Sequence, residues 1–137
     1  MNDHCIFCRI ANGEIPTACI YEDDLFKVIL DNAPSALGHA LILPKRHADT
    51  LYELDEESAK ALFPVVQKIA GMLKDTLKPD GINILQNNGE AAGQTVSHFH
   101  VHVIPRFNGD AVHIGWPHQQ LTPEQFKEMA QRMQANS

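Results

Sequence analysis

The alternation of apolar and polar positions divides the chain into short strand-like segments around one long helical segment. Ile6 to Ile10 reads as a short helix, ended by Asn12-Gly13 and by Pro16. Ala18 to Tyr21 and Leu25 to Leu30 read as strands, and Asp23-Asp24 between them supplies the turn of a hairpin. Asn32 to Gly38 is loop, and His39 to Leu43 is a third strand stopped by Pro44. A long helix follows the N-cap Asp55, with Glu56 and Glu57 at the positive end of its dipole. Leu62, Val65, Val66, Ile69, Leu73 and Leu77 recur at helical spacing and should face the core. Pro64 sits inside this pattern, where it should bend the helix or mark a later start. Ile82 to Gln86 is a fourth strand, Asn87 to Gly93 a polar loop, and Val96 to Ile104 a fifth strand terminated by Pro105. Thr122-Pro123-Glu124-Gln125 has the form of a capping box with proline at the first helical position. A C-terminal helix should follow, with Phe126, Met129, Ala130 and Met133 on one face and the two methionines in the core. The pattern predicts an α+β fold: a mainly antiparallel five-stranded sheet with one long helix and shorter ones.

Length and composition narrow the reading. With 137 residues and no internal repeat or linker, the chain reads as one domain over 1–137. Apolar residues make up 44% and charged residues 20%, an ordinary globular mixture. No stretch approaches the roughly 20 apolar residues of a membrane span, and Met1-Asn2-Asp3-His4 does not open a secretory signal. The formal charge of −6 makes the chain a poor binder of nucleic-acid backbone, so neither nucleic acid nor membrane is expected as a partner. It leaves room for a small anionic ligand at a locally favourable site. Three cysteines, all within the first 19 residues, are not a disulfide framework and fit a reducing, cytoplasmic compartment. Cys19, in a strand, reads as a core thiol.

Histidine is where the composition departs from the ordinary: there are eight, three of them at 98, 100 and 102. Residues two apart in a strand share a face. The three imidazoles should therefore project one way, with Phe99, Val101 and Val103 projecting the other way into the core. A row of imidazoles can bind a metal, relay protons or offer a nucleophilic nitrogen; it can also be no more than a polar outer face. Side chains at i, i+2 and i+4 spread over roughly 13 Å, which disfavours one ion on all three. The preceding Gly93-Gln94-Thr95-Val96-Ser97 supports phosphate chemistry. Gly93 allows close backbone approach, while Gln94, Thr95 and Ser97 are neutral donors and Asn87 can donate from the same side. Attack on phosphorus by an imidazole would give a phosphohistidine intermediate.

His98-Phe99-His100-Val101-His102-Val103-Ile104 resembles the signature of the histidine triad (HIT) superfamily, histidines alternating with apolar residues. Gly38-His39-Ala40-Leu41-Ile42-Leu43-Pro44-Lys45, Cys5-Ile6-Phe7-Cys8-Arg9-Ile10, Gly13-Glu14-Ile15-Pro16 and Asn87 to Gln94 are similar to its other segments. The resemblance covers about residues 4–107, leaving a C-terminal extension over 108–137, and points to the bacterial Hint-like nucleotide-binding branch. It implies a homodimer with a sheet continued across two subunits, and hydrolysis or transfer at the α-phosphate of a purine nucleotide or nucleotide conjugate. His100 would be the nucleophile, His102 would bond the phosphate or leaving group, His98 would fix His100, and His39 would support the triad. Gln94, Thr95 and Asn87 would hold phosphate oxygens and Asp31 the ribose hydroxyls. Ile6, Phe7, Ile10, Leu30 and Asn32 would line the base pocket.

Cys5-x-x-Cys8 has the spacing of a zinc knuckle, a weak signal by itself. Similarity to triad proteins that carry this pair implies a closed, structural zinc site of Cys5, Cys8, His47 in Pro44-Lys45-Arg46-His47, and His98. The same likeness would let Trp116 reach a partner's site, although a packed or interface tryptophan fits equally. Three activities stand open at this point. The first is cleavage of a P–N bond by a nucleoside phosphoramidase-type enzyme. The second is hydrolysis of dinucleoside polyphosphates, for which Arg106 could meet a longer phosphate chain. The third is nucleotide binding by a zinc-stabilised module without significant turnover.

Overall fold

A computed structural model describes residues 4–137. Met1 to Asp3, on which the reading of the N-terminus partly rests, lie outside the described residues. The order along the chain is α1 (Ile6–Ala11), β1 (Cys19–Glu22), β2 (Phe26–Leu30), β3 (Ala40–Pro44), α2 (Glu56–Leu77), β4 (Gly81–Leu85), β5 (Val101–Arg106) and α3 (Pro123–Ala135). Single 3-10 turns occupy Leu51–Glu53 and Glu90–Ala92.

The strands form one antiparallel sheet in the order β1-β2-β3-β5-β4, so the fold is the expected α+β. The alternation of β3 explains its central place. Ala40 and Ile42 join the core beneath α2, where Leu62, Val65, Val66, Ile69 and Leu73 meet Phe99, Val101 and Val103. Leu41 and Leu43 point to the opposite face, against Phe7, Cys8 and Ile10 of α1. Every residue of β3 is therefore buried. Burying side chains such as these contributes roughly 1.5–3 kcal/mol each. Among the described residues, no helix is long and apolar enough to cross a membrane.

Several elements differ from the sequence reading, some of them at prolines. Pro44 is the last residue of β3, opposite Phe26, and Pro105 lies inside β5, opposite Ile82. The β3–β5 pairing runs only from Ala40↔Val103 to Ile42↔Val101, so each proline sits where its missing N–H has no ladder partner to fail. Pro64 does not delay α2, which spans 22 residues with the proline inside, on the solvent side. The fifth strand begins at Val101, not Val96. The Phe99 N–H leaves the ladder and donates to the Ala48 carbonyl at 2.7 Å. Cys19 is exposed on the edge strand β1, not in the core. The capping box of α3 forms as expected, yet no residue of α3 is buried. Phe126, Met129 and Met133 are exposed, as is Trp116. Their periodicity is that of a helix with an apolar face, but α1 and α2 already cover both faces of this sheet.

Candidate active site and metal centre

The three histidines keep their common face, but unequal backbones carry them. Only His102 stands in a paired strand, opposite Leu41 of β3. His98 and His100 sit in the extended segment that precedes it, and the three rings meet different surroundings.

His98 is fully buried. Its Nε2 donates to the Pro44 carbonyl at 2.9 Å, which leaves Nδ1 as a lone pair. Burial, the largest influence, pulls its pKa from 6.5 to about 4, so the ring is neutral. Nδ1 lies 3.3 Å from Cys5 Sγ, 3.5 Å from Cys8 Sγ and 3.2 Å from His47 Nδ1. Cys8 Sγ is 3.3 Å from His47 Nδ1. The outer nitrogen of His47, Nε2, lies 2.6 Å from Asp49 Oδ1 and donates to it. Two thiols and two imidazole lone pairs thus converge, with ligand atoms within 4.8 Å of one another. Both rings spend their distal N–H on an oxygen, the outer arrangement that orients metal-ligating histidines. Two lone pairs facing each other at 3.2 Å call for a positive charge between them, and a Cys₂His₂ donor set is that of a structural zinc site. Locally, Cys5 Sγ also accepts the Cys8 N–H at the start of α1, so the helix N-cap is built from the same thiol.

His100 is nearly buried at 6% exposure. Its Nδ1 donates to the His98 carbonyl at 2.8 Å. In the neutral ring, Nε2 is then the atom with the free electron pair. Phe7 stands edge-on to the ring, with centroids 5.1 Å apart.

His102 receives the complementary assignment. The Ser35 N–H donates to His39 Nδ1 at 3.0 Å, so the proton of neutral His39 is on Nε2. That nitrogen lies 2.9 Å from His102 Nδ1 and 3.6 Å from Asp31 Oδ2. His102 Nδ1 is therefore an acceptor, and its Nε2 carries the proton. Burial, the His100 ring and the His39 ring bring the pKa of His102 to about 4, in that order of weight, with Asp31 opposing. His39 is also lowered, by burial first. Asp31, His39 and His102 lie close enough to hold an ion, but the Ser35 N–H blocks the tautomer that would offer His39 Nε2 as a ligand. A hydrogen-bonded relay fits the three residues better.

A cavity of about 610 Å³ opens beside this pair and includes His100 and His102 in its wall. Of the residues singled out from sequence, Ile6, Phe7, Ile10, Leu30, Asp31, Asn32 and Thr95 line it. Asp31 Oδ1 accepts the Ala33 N–H, which leaves Oδ2 toward His39. His39 stands behind His102, and His98 turns away toward the thiols. Asn87, Gly93 and Gln94 are not in the wall. Gln94 Oε1 accepts the Gly89 N–H, and its Nε2 donates to the carbonyls of Asp49 and Val96, so the side chain ties the loop together. The Asn87 side chain lies against Gly93. Thr17, Ile29, Ala33, Leu41 and Val96 also line the cavity. Sequence periodicity gave no sign of them, apart from their adjacency to strands already placed. Among the described residues, no lysine or arginine lines the cavity. Arg106, at the far end of β5, is taken up by Asp110 through two bonds, by Asn83 and by the Val112 carbonyl.

Comparison with known proteins agrees with this geometry. A family model described as the HIT domain matches residues 12–109. Adenosine 5'-monophosphoramidase hnt1 of Schizosaccharomyces pombe is 39% identical over 130 residues, covering 94% of this chain and 95% of that one. The crystal structure of a HIT family member from Bacillus subtilis superposes with a TM-score of 0.93 at 38% identity, covering 98% of each chain. That of a Zn-bound histidine triad family protein from Mycobacterium smegmatis gives 0.74 at 38% identity, covering 96% of each. With its triad, its antiparallel sheet and a match over most of its length, the chain belongs to the HIT domain family.

Proposed function

We propose that this protein is a nucleotide-binding hydrolase of the phosphoramidase type, cleaving a P–N bond at the α-phosphate of a purine nucleoside phosphoramidate. The observation that carries the reading is the paired tautomers at the cavity wall. His100 offers an unprotonated Nε2, and His102 offers an Nε2–H on the same face.

The chemistry then follows in two displacements, each easier than one direct attack. His100 Nε2 attacks phosphorus and a P–N bond to the enzyme forms. The substrate's own P–N bond breaks, its electron pair returns to nitrogen, and that nitrogen takes a proton. His102 Nε2–H hydrogen-bonds to the leaving nitrogen, which draws this proton from solvent. Water then attacks phosphorus, the bond to His100 breaks, and the proton of the water passes to solvent. The products are a free amine and a nucleoside monophosphate. Ile6, Phe7, Ile10, Leu30 and Asn32 form the base pocket, Asp31 accepts from the ribose hydroxyls, and Thr95 and the backbone near Gly93 face the phosphate. Asn87 and Gln94 serve the phosphate side by holding the shape of that loop.

Cys5, Cys8, His47 and His98 hold zinc in this reading. The ion is structural, because four protein ligands leave no position for water or substrate. It braces the segment whose His98 carbonyl fixes the nucleophile. The exposed apolar face of α3 and the edge strand β4 suit a homodimer.

Dinucleoside polyphosphate hydrolysis is disfavoured by two observations. No lysine or arginine among the described residues lines the cavity to meet a chain of phosphates, and Arg106 is engaged at Nε, Nη1 and Nη2 by Asp110, Asn83 and the Val112 carbonyl.

The test is intact-protein mass spectrometry after mixing with adenosine 5′-phosphoramidate and rapid denaturation, for wild type and His100→Ala. A nucleotidyl adduct on wild type alone, with AMP in solution, is the expected result. His100→Ala turning over at a tenth of the wild-type rate or faster overturns the assignment. AMP from diadenosine tetraphosphate but not from the phosphoramidate overturns the substrate class. Nucleotide binding with neither adduct nor AMP overturns the enzyme.

A further inference from the structure

The residue joining the metal centre to the loop beside the cavity is Asp49. Its carboxylate Oδ1 stands 2.6 Å from His47 Nε2, the nitrogen turned away from the thiols. Its main-chain carbonyl accepts Gln94 Nε2, also at 2.6 Å. Gln94 in turn accepts the Gly89 N–H at 2.7 Å and donates to the Val96 carbonyl at 2.9 Å. A continuous path thus runs from the thiol pair through His47, Asp49 and Gln94 into residues 89–96. These residues enter the triad segment directly. Asp49, Thr95 and Val96 also share one shallow cleft with Cys5.

We propose that Asp49 is a positioning residue: its carboxylate orients His47 toward the metal, and its carbonyl passes that order through Gln94 to the loop ahead of the histidines. This rests on Cys5, Cys8, His47 and His98 being zinc ligands. The carboxylate acts in two ways. As an acceptor it fixes the His47 tautomer, so that Nδ1 offers its lone pair to the ion. As an anion it makes that ring a stronger donor. The second bond works the other way: with His47 held by the ion, the backbone at Asp49 is fixed, and so is the carbonyl that Gln94 grips.

The first experiment is zinc affinity by competition with a chromophoric chelator, for wild type, Asp49→Ala and Asp49→Asn. Asp49→Ala should weaken binding by about 10-fold or more, the range for lost outer partners of metal-ligating histidines. Asp49→Asn keeps an acceptor oxygen without the charge and should recover part of that loss. Equal melting temperatures of the zinc-saturated proteins would separate this from a general loss of folding, and Asp49 is exposed enough that both variants should fold. The second experiment is amide hydrogen exchange at Gly89, with and without zinc. Protection of Gly89 should fall on zinc removal in wild type, and should be lower in zinc-loaded Asp49→Ala than in zinc-loaded wild type.

Zinc affinities within twofold across the three proteins overturn the role at His47. Gly89 exchange that ignores the metal overturns the link to the loop. Wild type that takes up no stoichiometric zinc overturns the metal reading itself and the proposal with it, a result distinct from the other two.

Discussion

Replacing Gly38 with alanine tests how the fold holds His39, the next residue. Gly38 has φ +94°, and a Cβ built there would stand 2.6 Å from Leu77 Cδ1 and 3.1 Å from Leu73 Cδ2, both on α2. Two costs arise. A left-handed backbone conformation costs an alanine about 1–2 kcal/mol, and overpacking a filled contact costs about 1–3 kcal/mol. Loss of unfolded-chain freedom returns roughly 0.4–1 kcal/mol. A net destabilisation near 2.5 kcal/mol follows, because the leucine ends can shift but the helix that carries them is packed. Gly13 provides the control: its φ is +89°, and nothing lies within 4 Å of its would-be Cβ. Gly13→Ala should therefore show only the backbone cost, about 1 kcal/mol. Urea denaturation measures both. With an m-value near 2 kcal/mol/M, Gly38→Ala lowers the midpoint by about 1.2 M and Gly13→Ala by about half that or less. Turnover should report the same contact, since pushing Gly38 away from α2 strains the 2.9 Å approach of His39 to His102. Gly38→Ala should thus lose activity that Gly13→Ala keeps. Equal destabilisation of the two variants, within about 0.5 kcal/mol, would refute the steric half of the reasoning.

Two further outcomes follow from the buried groups. His102 titrates near 4 in the folded protein against 6.5 unfolded, so between those values the unfolded chain binds more protons. Stability is fully present above about pH 6.5 and is lost as the pH falls toward 4. The slope is at most about 1.4 kcal/mol per pH unit for this histidine, and less because the ring is partly exposed; the stability difference between wild type and His102→Asn, followed by urea denaturation from pH 7 to 4, should shrink through that window. In the thiol titration, Cys19 is exposed while Cys5 and Cys8 are buried beside His47 and His98. One thiol should react promptly with Ellman's reagent in the zinc-loaded protein and three after chelation, and three prompt thiols before chelation would contradict a closed site.

The sheet and the long helix are legible in the sequence because each keeps its period where it meets the core. The alternation through Phe99, Val101 and Val103 and the 3.6-residue recurrence through Leu62 to Leu73 each match a real core contact. Local rules fail where a neighbour decides the outcome. Pro105 looks like a strand end, and only the short pairing between β3 and β5 shows why it is tolerated inside one. The apolar face of α3 is visible in sequence, but nothing in its own pattern tells that the rest of the chain leaves it uncovered. At the site, residue types were readable and hydrogen-bond roles were not. Gln94 looks like a phosphate donor by composition, but its side chain is committed to three backbone groups. Asp49 carries no motif, and its approaches to His47 and Gln94 are visible only in the fold.

The imidazole protons are assigned largely by main-chain atoms: the Pro44 carbonyl for His98, the His98 carbonyl for His100, and the Ser35 N–H for His39. Side-chain substitution does not delete a backbone carbonyl or, proline aside, a backbone N–H. The cavity wall on α1 and β2 can therefore drift in size and polarity across generations while the proton pattern of His100 and His102 is inherited with the fold. Such a scaffold separates what is recognised from what is done. New ligands become accessible by small changes at Ile6, Phe7 or Leu30 without a fresh solution to the chemistry.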